Sequence, residues 1–124
     1  MEWFEELPKD CPPANAQIPN AFVCFRWSND SRKPHDIDFL SERLRYPNKT
    51  FRNVSECVAH SLSVFDDIEK CRDIAKLPRN RGKFQRIMKI ELAKEDGLIK
   101  KTFRESHYSW WRSKSFKVES VILI

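Results

Sequence analysis

The sequence predicts one α+β domain, with a mixed or antiparallel sheet and two short helices packed on it. The chain has 124 residues, which is enough for a single domain with its own hydrophobic core. Hydrophobic residues make up 40% and charged residues 33%, as in globular proteins on the polar side of the range. Both helical patterns fall in the first two-thirds of the chain and strand patterns dominate the rest, which favours α+β over a regular βαβ array.

The first 20 residues predict an extended, proline-rich lead-in to a domain at 21–124. They carry four of the seven prolines, Pro8, Pro12, Pro13 and Pro19. A short helical turn is expected at Trp3–Leu7. Trp3 and Phe4 are large apolar side chains that would be unusual in a free tail, so we expect them to dock on the domain.

The first half of the domain alternates strand and helix signals. Ala21–Trp27 is aromatic and β-branched and predicts a strand. Asp36–Leu44 predicts a short helix capped by its first residue. Cys57–Phe65 alternates apolar and polar residues and predicts a second strand. Asp67–Leu77 has apolar residues at helical spacing and is stopped by a proline, which predicts the second helix.

The second half of the domain is predicted to consist of strands. Phe84–Leu92 alternates strictly, and Leu98–Phe103 follows a turn at Gly97. His107–Trp111 and the β-branched stretch Phe116–Ile124 complete the set. We expect the core to include Phe22, Cys24, Phe39, Leu40, Leu62, Val64, Ile68, Ile74, Ile87, Val118 and Ile122.

The net charge of +5 is unevenly distributed along the chain. Residues 1–62 hold 8 basic and 9 acidic side chains, whereas residues 63–124 hold 15 and 9. A basic half attracts phosphate-bearing partners, which are nucleotides or nucleic acid. Charge alone does not separate these two, and a basic surface is most often only a solvated face.

Several classes of function lack the motifs that they require. The two glycines, Gly82 and Gly97, cannot build a glycine-rich phosphate loop, which excludes P-loop and Rossmann nucleotide enzymes. The cysteines and histidines do not form two close ligand pairs, so no metal site is expected. No G-x-S-x-G elbow presents a serine, and the paired acids at a helix start are explained by capping. A hydrolytic enzyme therefore has no specific support.

The cellular compartment is predicted from the cysteines and the apolar runs. The acidic N-terminus has no apolar signal core, and no run approaches the roughly 18 apolar residues of a membrane helix. The four cysteines show no C-x-x-C spacing. We expect a cytoplasmic protein with reduced thiols and no membrane partner, in which the three N-x-S/T sequences at Asn29, Asn48 and Asn53 are chance matches.

The segment His107–Trp111 gathers a histidine, a phenol, a hydroxyl and two indoles. Successive side chains of a strand point to opposite faces, so the indoles of Trp110 and Trp111 cannot both enter one core. We therefore expect one of them to be half exposed beside a histidine that titrates near neutral pH. Such a segment is typical of a ligand-facing surface and equally of a well-packed domain edge.

Polar side chains of three predicted strands could form one cleft if those strands are neighbours. Arginine pairs with phosphate, serine and histidine bond to ribose or phosphate oxygens, and an indole stacks on a base or nicotinamide. We therefore expect a nucleotide or ADP-ribose-like anion in this cleft. Its residues are Arg26 from the first strand, His60, Ser61 and Ser63 from the second, and His107, Tyr108 and Trp110 from the late one.

The order of elements resembles that of the small ADP-ribosyltransferase-like domains. Arg26 in Phe-Val-Cys-Phe-Arg-Trp is similar to their first-strand arginine, and Ser61-Leu62-Ser63 is similar to the Ser-Thr-Ser of the arginine-first class. That class has a Glu-x-Glu or Gln-x-Glu on a late strand, where this chain has Lys117-Val118-Glu119; other members use a late histidine, to which His107 is similar. Without the acidic pair, ligand binding is favoured over transfer. The resemblance implies NAD as the candidate cofactor, catalytic roles for Arg26, Ser61, His107 and Glu119, and ligand binding by His60, Ser63, Tyr108 and Trp110.

Two other classes of function remain open. A nucleic-acid-binding module would track phosphates with basic side chains and stack bases on aromatic ones, although the chain has no RNP, KH or helix-turn-helix signature. A protein-interaction module of the antitoxin or immunity type would use adjacent aromatics and arginines, which are common hot-spot residues. The residues assigned to nucleic acid are Arg79, Arg81, Lys83 and Arg86.

Overall fold

The computed structural model describes residues 1–30, 32–84 and 86–124. The strands are β1 Phe22–Ser28, β2 Leu62–Phe65, β3 Arg86–Leu92, β4 Gly97–Lys101, β5 His107–Arg112 and β6 Ile122–Leu123. The helices are α1 Glu42–Arg45, α2 Glu56–Ala59 and α3 Ile68–Ala75. Short 3₁₀ turns lie at Asp36–Phe39, Pro78–Asn80, Lys94–Asp96 and Val118–Ser120.

The six strands form one sheet in the order β4-β5-β2-β1-β3-β6, and its strand pairs are antiparallel. Together with the short helices, this sheet confirms the predicted α+β class. The long pairing is β1 with β3, which aligns Phe22 with Leu92 and Ser28 with Arg86. The three predicted site strands β1, β2 and β5 are neighbours, as the predicted cleft required.

One face of the sheet, the core face, carries the hydrophobic core. Alternation places Cys24, Leu62, Val64, Ile90 and Trp110 on this face. Cys24 is in register with Ile90, Leu62 is in register with Trp110, and Val64 is two residues from Leu62 on the same strand. Phe39 and Phe116 cover them from outside the sheet, and their rings lie 6.3 Å and 4.7 Å from the ring of Trp110. The buried cluster also includes Met88, Leu92, Ile99 and Val121.

The opposite face, the helix face, is covered by α3. The Trp27 indole Nε1 donates to the backbone oxygen of Cys71, a buried residue of α3, at 2.9 Å. The Trp27 ring meets Phe65 of β2 edge-on at 5.4 Å. Helix α3 begins after Asp67, whose carboxylate accepts from the backbone N–H of Glu69. The predicted helix therefore exists, but it starts one residue and ends two residues inside the predicted bounds.

Two predicted elements are interrupted by serine caps. The helix predicted at Asp36–Leu44 is a 3₁₀ turn followed by α1, because the Ser41 hydroxyl accepts from the N–H of Leu44 and starts a new helix. The strand predicted at Cys57–Phe65 begins as helix α2, because Ser55 caps it by accepting from Val58 N. Only the second half of that segment is the strand β2.

The C-terminal prediction is the least accurate. Phe116–Ile124 is not one strand: it contains the 3₁₀ turn and the two-residue β6 at the sheet edge. Ile122, predicted in the core, is 61% exposed. The strand predicted at Phe84–Leu92 is observed over Arg86–Leu92, and Gln85 within it lies outside the described residues.

The other residues predicted in the core differ in how deeply they are buried. Cys24, Phe39, Leu62 and Val64 are buried, whereas Phe22 and Val118 are partly buried against the same cluster. Leu40, Ile68, Ile74 and Ile87 are of intermediate exposure.

The lead-in lies against the domain as an extended segment. Trp3 forms a β-bridge with Ser113, and Gln17 forms another with Ile99 of β4. The Phe4 ring stacks on the Arg112 guanidinium, with 3.8 Å between the guanidinium carbon and the ring centroid. The helical turn expected at Trp3–Leu7 is absent, because this segment pairs with the chain after β5 instead.

A disulfide joins Cys11 of the lead-in to Cys57 of α2 across 46 residues. Cys24 and Cys71 are buried free thiols. The expectation of four reduced thiols is therefore wrong for the first pair. Throughout the described ranges, no helix combines the length and the apolar character needed to cross a bilayer.

Candidate functional site

Two adjoining cavities lie between the end of β1, helix α1 and the turn before β3. The inner cavity, of about 100 Å³, is lined by Arg26, Trp27, Ser61 and Ser63 among others. The outer cavity, of about 700 Å³, is lined by Tyr46, Lys49, Phe51, Asn80 and Lys83 among others. Both include Asn29, Glu42, Arg45 and Phe84, and together they are called the groove.

Arg26 closes the inner end of the groove. Strand β1 is in register with β2 at Phe25 and Phe65, and the next side chain, Arg26, reaches across to β2. Its Nη1 donates to the Ser63 carbonyl at 2.7 Å and its Nε donates to the Asp38 carbonyl at 2.8 Å. Burial and, after it, the nearby positive charge of Arg45 lower the pKa of Arg26 to about 10. The guanidinium is still charged at neutral pH.

A carboxylate that lines this end, that of Asp38, already accepts four hydrogen bonds. Asp38 is 1% exposed, and its oxygens accept from the backbone N–H groups of Asn29 and His35, from the Asn29 amide and from the Ser28 hydroxyl. These bonds hold the loop after β1 in place. Because the carboxylate of Asp38 bonds to groups of this loop, the guanidinium of Arg26 bonds only to carbonyl oxygens within the described chain.

The walls of the groove combine further cations with aromatic rings. Phe84 stacks on Trp27, with centroids 4.8 Å apart and planes within 18° of parallel. The Lys49 ammonium lies 5.6 Å from the ring centroid of Tyr46, which is 48% exposed. The side chain of Arg45 forms no hydrogen bond or ion pair with the described residues. An anion attached to a flat ring system would therefore find partners for both parts.

A second polar cluster, called here the His107 network, contains Ser63, Thr102, His107 and Ser109. The His107 Nε2 lies 3.0 Å from the Ser63 hydroxyl, and its Nδ1 lies 3.1 Å from both the hydroxyl and the carbonyl oxygen of Thr102. The Thr102 hydroxyl also bonds to the Ser109 hydroxyl at 2.8 Å. When Nδ1 carries the proton it donates to Thr102, and Nε2 then accepts the proton of Ser63.

The surroundings of His107 keep its ring neutral. Burial lowers the pKa of His107 below its ordinary value of 6.5, and the positive charges of Arg104 and Arg26 lower it further, against a bond to Thr102 that raises it. The rings of Phe65 and Phe103 lie against it at 5.2 Å and 5.3 Å. A neutral imidazole beside a hydroxyl can accept a proton from it.

The structure does not bring the predicted site residues into one cavity. Phe25, Phe65 and His107 are in register and share the helix face, so Arg26, which follows Phe25, starts from the core face. Ser61 and Ser63 line the inner cavity with Arg26, whereas His107 lines another cavity of about 140 Å³ with Phe65 and Phe103. Ser63 is the link, since its carbonyl accepts from Arg26 and its hydroxyl bonds to His107.

Both indoles of the aromatic segment are fully buried, so the expectation of a half-exposed one is wrong. Trp110 lies in the core and its Nε1 donates to the Asp96 carbonyl at 3.0 Å. Trp111 is on the other face, where its Nε1 donates to the Cys57 carbonyl at 2.9 Å. Because both faces of the sheet are covered here, neither ring can stack on a ligand. Tyr108, on the core face, meets the ring of Phe22 edge-on at 5.0 Å.

Two further predicted residues lie away from the groove. Glu119 is an exposed residue of the 3₁₀ turn before the edge strand β6, and therefore not on a strand facing β1. His60 ends α2 and belongs to a separate cluster, the His60 network of Glu5, Ser41, Glu56 and His60. Its Nδ1 lies 2.6 Å from Glu5, and its Nε2 lies 3.3 Å from Glu56. Burial raises the pKa of Glu5, although His60 and Ser41 bond to its carboxylate.

The basic residues assigned to nucleic acid lie along the turn before β3 and at the start of that strand. Arg79, Arg81 and Lys83 are exposed on the turn before β3, and Lys83 also lines the outer cavity. Arg86 begins β3, and its Nε donates to the carbonyl of Ile124 at 2.9 Å.

Sequence reasoning missed Arg45, Tyr46 and Phe84 as wall residues. The usable signals were the basic end of α1 and an aromatic side chain directly after a basic turn.

Comparison with known proteins leaves the site to be interpreted from its own geometry. No family model, no curated protein and no solved structure matches the chain. In the part of the chain that the structure describes, no group of three or more His, Cys, Asp and Glu side chains is arranged to hold a metal ion.

Proposed function

We propose that the protein binds a phosphate-bearing ligand, a nucleotide or an ADP-ribose-like anion, in the groove. The observation that carries the proposal is the pair of guanidiniums, Arg26 and Arg45, which repel each other at the inner end. An anion bound between them would relieve that repulsion and accept hydrogen bonds from both. Ser61 lines the same cavity, although its hydroxyl also donates to the Val58 carbonyl.

The aromatic wall supports a nucleotide over a simple anion. Tyr46 and Phe84 border the outer cavity, whose volume of about 700 Å³ is in the range of small-molecule sites. A base or nicotinamide stacked there would leave its phosphates directed at the arginines. Trp110 and Glu119 do not border the groove, which favours ligand binding over transfer for the ADP-ribosyltransferase-like hypothesis.

The proposal is tested by calorimetric titration with AMP, ATP, NAD, ADP-ribose and adenosine. We expect binding of at least one phosphate-bearing ligand and binding of adenosine at least tenfold weaker. Arg45→Gln should weaken the binding about tenfold, since one charge-assisted hydrogen bond contributes about 1.5 kcal/mol. Lys101→Gln, on β4 at the far edge of the sheet, removes the same charge and should leave the affinity unchanged. Equal weakening by both variants, or no binding of any ligand, contradicts the proposal.

A nucleic-acid ligand is the second candidate, favoured by Arg79, Arg81 and Lys83 on the turn before β3. It predicts binding of a short single-stranded RNA that weakens steeply between about 50 and 200 mM salt. The double variant Arg79→Gln/Arg81→Gln should then weaken the binding of every RNA sequence tested. A salt-independent affinity would exclude this candidate.

The compartment in which the ligand is met belongs to the same proposal. Cytoplasmic location stays a prediction from the sequence, and its premise of reduced thiols fails at Cys11 and Cys57. Because disulfides persist mainly in oxidising environments, the bond favours such an environment for the folded protein. Thiol alkylation of protein taken directly from cells reports the state of both cysteines.

A further inference from the structure

We propose that Ser63 is a nucleophile activated by His107, and that the pair transfers short acyl groups from carboxylic esters to water. The proposal goes beyond ligand binding and stands on a different observation. Its basis is a serine hydroxyl 3.0 Å from a histidine nitrogen, with the other nitrogen of the same ring held by Thr102.

The geometry supplies the three parts that nucleophilic catalysis by serine requires. The nucleophile and the base are within hydrogen-bond distance, and a third group orients the base. That third group is the Thr102 carbonyl, 3.1 Å from Nδ1, in the position that a carboxylate holds in other serine enzymes. With the proton on Nδ1, the free electron pair of Nε2 points at the Ser63 hydroxyl.

The surroundings of the pair explain how a substrate would reach it. Ser63 lines the inner cavity of the groove, of about 100 Å³, which has room for an acyl group of two to four carbons and adjoins the outer cavity. Arg26 lines the same cavity and donates to the backbone carbonyl of Ser63, so a positive charge is held next to the residue that carries the attacking hydroxyl. His107 itself is 6% exposed, which keeps bulk water from its ring.

The reaction proceeds in two balanced halves. The Ser63 Oγ–H bond breaks, its proton moves to Nε2, and Oγ bonds to the ester carbonyl carbon while the carbonyl electron pair moves to oxygen. When the carbonyl re-forms, the bond to the alcohol oxygen breaks and that oxygen takes the proton from Nε2. Water then attacks the acyl-Ser63 in the same way, and the carboxylic acid leaves with Ser63 restored.

Labelling the folded protein with a fluorophosphonate, followed by peptide mass spectrometry, tests the proposal directly. We expect an adduct on Ser63, and hydrolysis of p-nitrophenyl acetate but not of p-nitrophenyl decanoate. His107→Gln should lower the labelling rate at least 100-fold, the usual contribution of a general base. Ser120→Ala is the matched control, because the Ser120 hydroxyl donates to the Lys117 carbonyl instead of bonding to a histidine, on the 3₁₀ turn away from the groove. It should change the rate less than twofold.

The pH profile separates a catalytic pair from a structural one, and it needs no variant. The labelling rate of Ser63 should rise with pH as His107 loses its proton, below pH 6.5, and level off above. Arg104 and Arg26 are the charged groups that act on this ring, and both move the rise toward lower pH. Labelling of Ser63 only after unfolding in urea, or a flat profile in the folded protein, would overturn the proposal.

Discussion

The buried His107 and the partly buried His60 lie in networks of opposite character. His60 is held between two carboxylates, 2.6 Å from Glu5 and 3.3 Å from Glu56. His107 meets hydroxyls, a carbonyl and two aromatic rings, and the charges that act on it are positive. The first environment attaches the lead-in to the domain. The second leaves a neutral base beside Ser63, so the surroundings, and not the residue type, decide which histidine can do chemistry.

The largest expected effect comes from removing the disulfide, which should disturb the His60 network, to which the lead-in contributes Glu5, and leave the His107 network intact. The disulfide closes a loop spanning 46 residues beside the His60 network, so Cys11→Ser/Cys57→Ser should lower the free energy of unfolding by about 4 kcal/mol. Urea denaturation measures this loss, and reduced wild-type protein should reproduce it. The NMR titration of His107 should be unchanged. A loss below about 1 kcal/mol would mean that the bridges of Trp3 and Gln17 hold the lead-in unaided.

A second prediction concerns the contact between Glu5 and His60. The side chains of Glu5 and His60 are 11% and 14% exposed, so among the described residues His60→Ala leaves Ser41 as the one hydrogen-bond partner of a mostly buried carboxylate. The expected loss in the free energy of unfolding is about 3 kcal/mol. Glu56→Gln is the control, because the Glu56 side chain is 49% exposed, and it should cost less than about 1 kcal/mol. Equal losses would show that Glu56 and not Glu5 is the main partner of His60.

Much of the fold, but little of the site, follows from the sequence. Strand alternation located β1 and β3, and with β1 the core residue Cys24, because a period of two is a local property. In β3 it did not decide which face is buried: Ile87 was predicted in the core, whereas Ile90 and Leu92 are the buried residues. The burial of both Trp110 and Trp111 was not predictable, since it depends on what covers each face of β5. Covering comes from distant segments, namely Phe39 and Phe116 on one face and the chain around Cys57 on the other. Sequence spacing likewise could not pair Ser63 with His107, which are 44 residues apart.

A third prediction uses pH, because the two networks should change the free energy of unfolding in opposite directions as the pH rises. The pKa of His107 is lowered in the folded state, so its contribution to stability is lost as the pH falls through the range below 6.5. The pKa of Glu5 is raised, so its contribution is present below 4.5 and is lost as the pH rises through its folded-state value. In urea denaturation between pH 4.5 and 7, His107→Gln should reduce the rise of stability with pH, whereas Glu5→Gln should increase it. Slopes that change in the same direction would remove the distinction between the networks.

The smallest expected effect decides which nitrogen of His107 carries the proton. Thr102→Val removes the hydroxyl that bonds to Nδ1 and to Ser109 but keeps the carbonyl, 3.1 Å from Nδ1. The loss in stability should be about 1 kcal/mol, one neutral hydrogen bond, while Thr50→Val in an exposed loop should cost almost nothing. If Nδ1–H donates to the carbonyl, the ¹⁵N shifts of the imidazole keep the same tautomer in the variant. A change of tautomer would mean that the hydroxyl donates to Nδ1 in the wild type. Nε2 would then carry the proton, and Ser63 would accept a hydrogen bond from His107 rather than give up its proton to it.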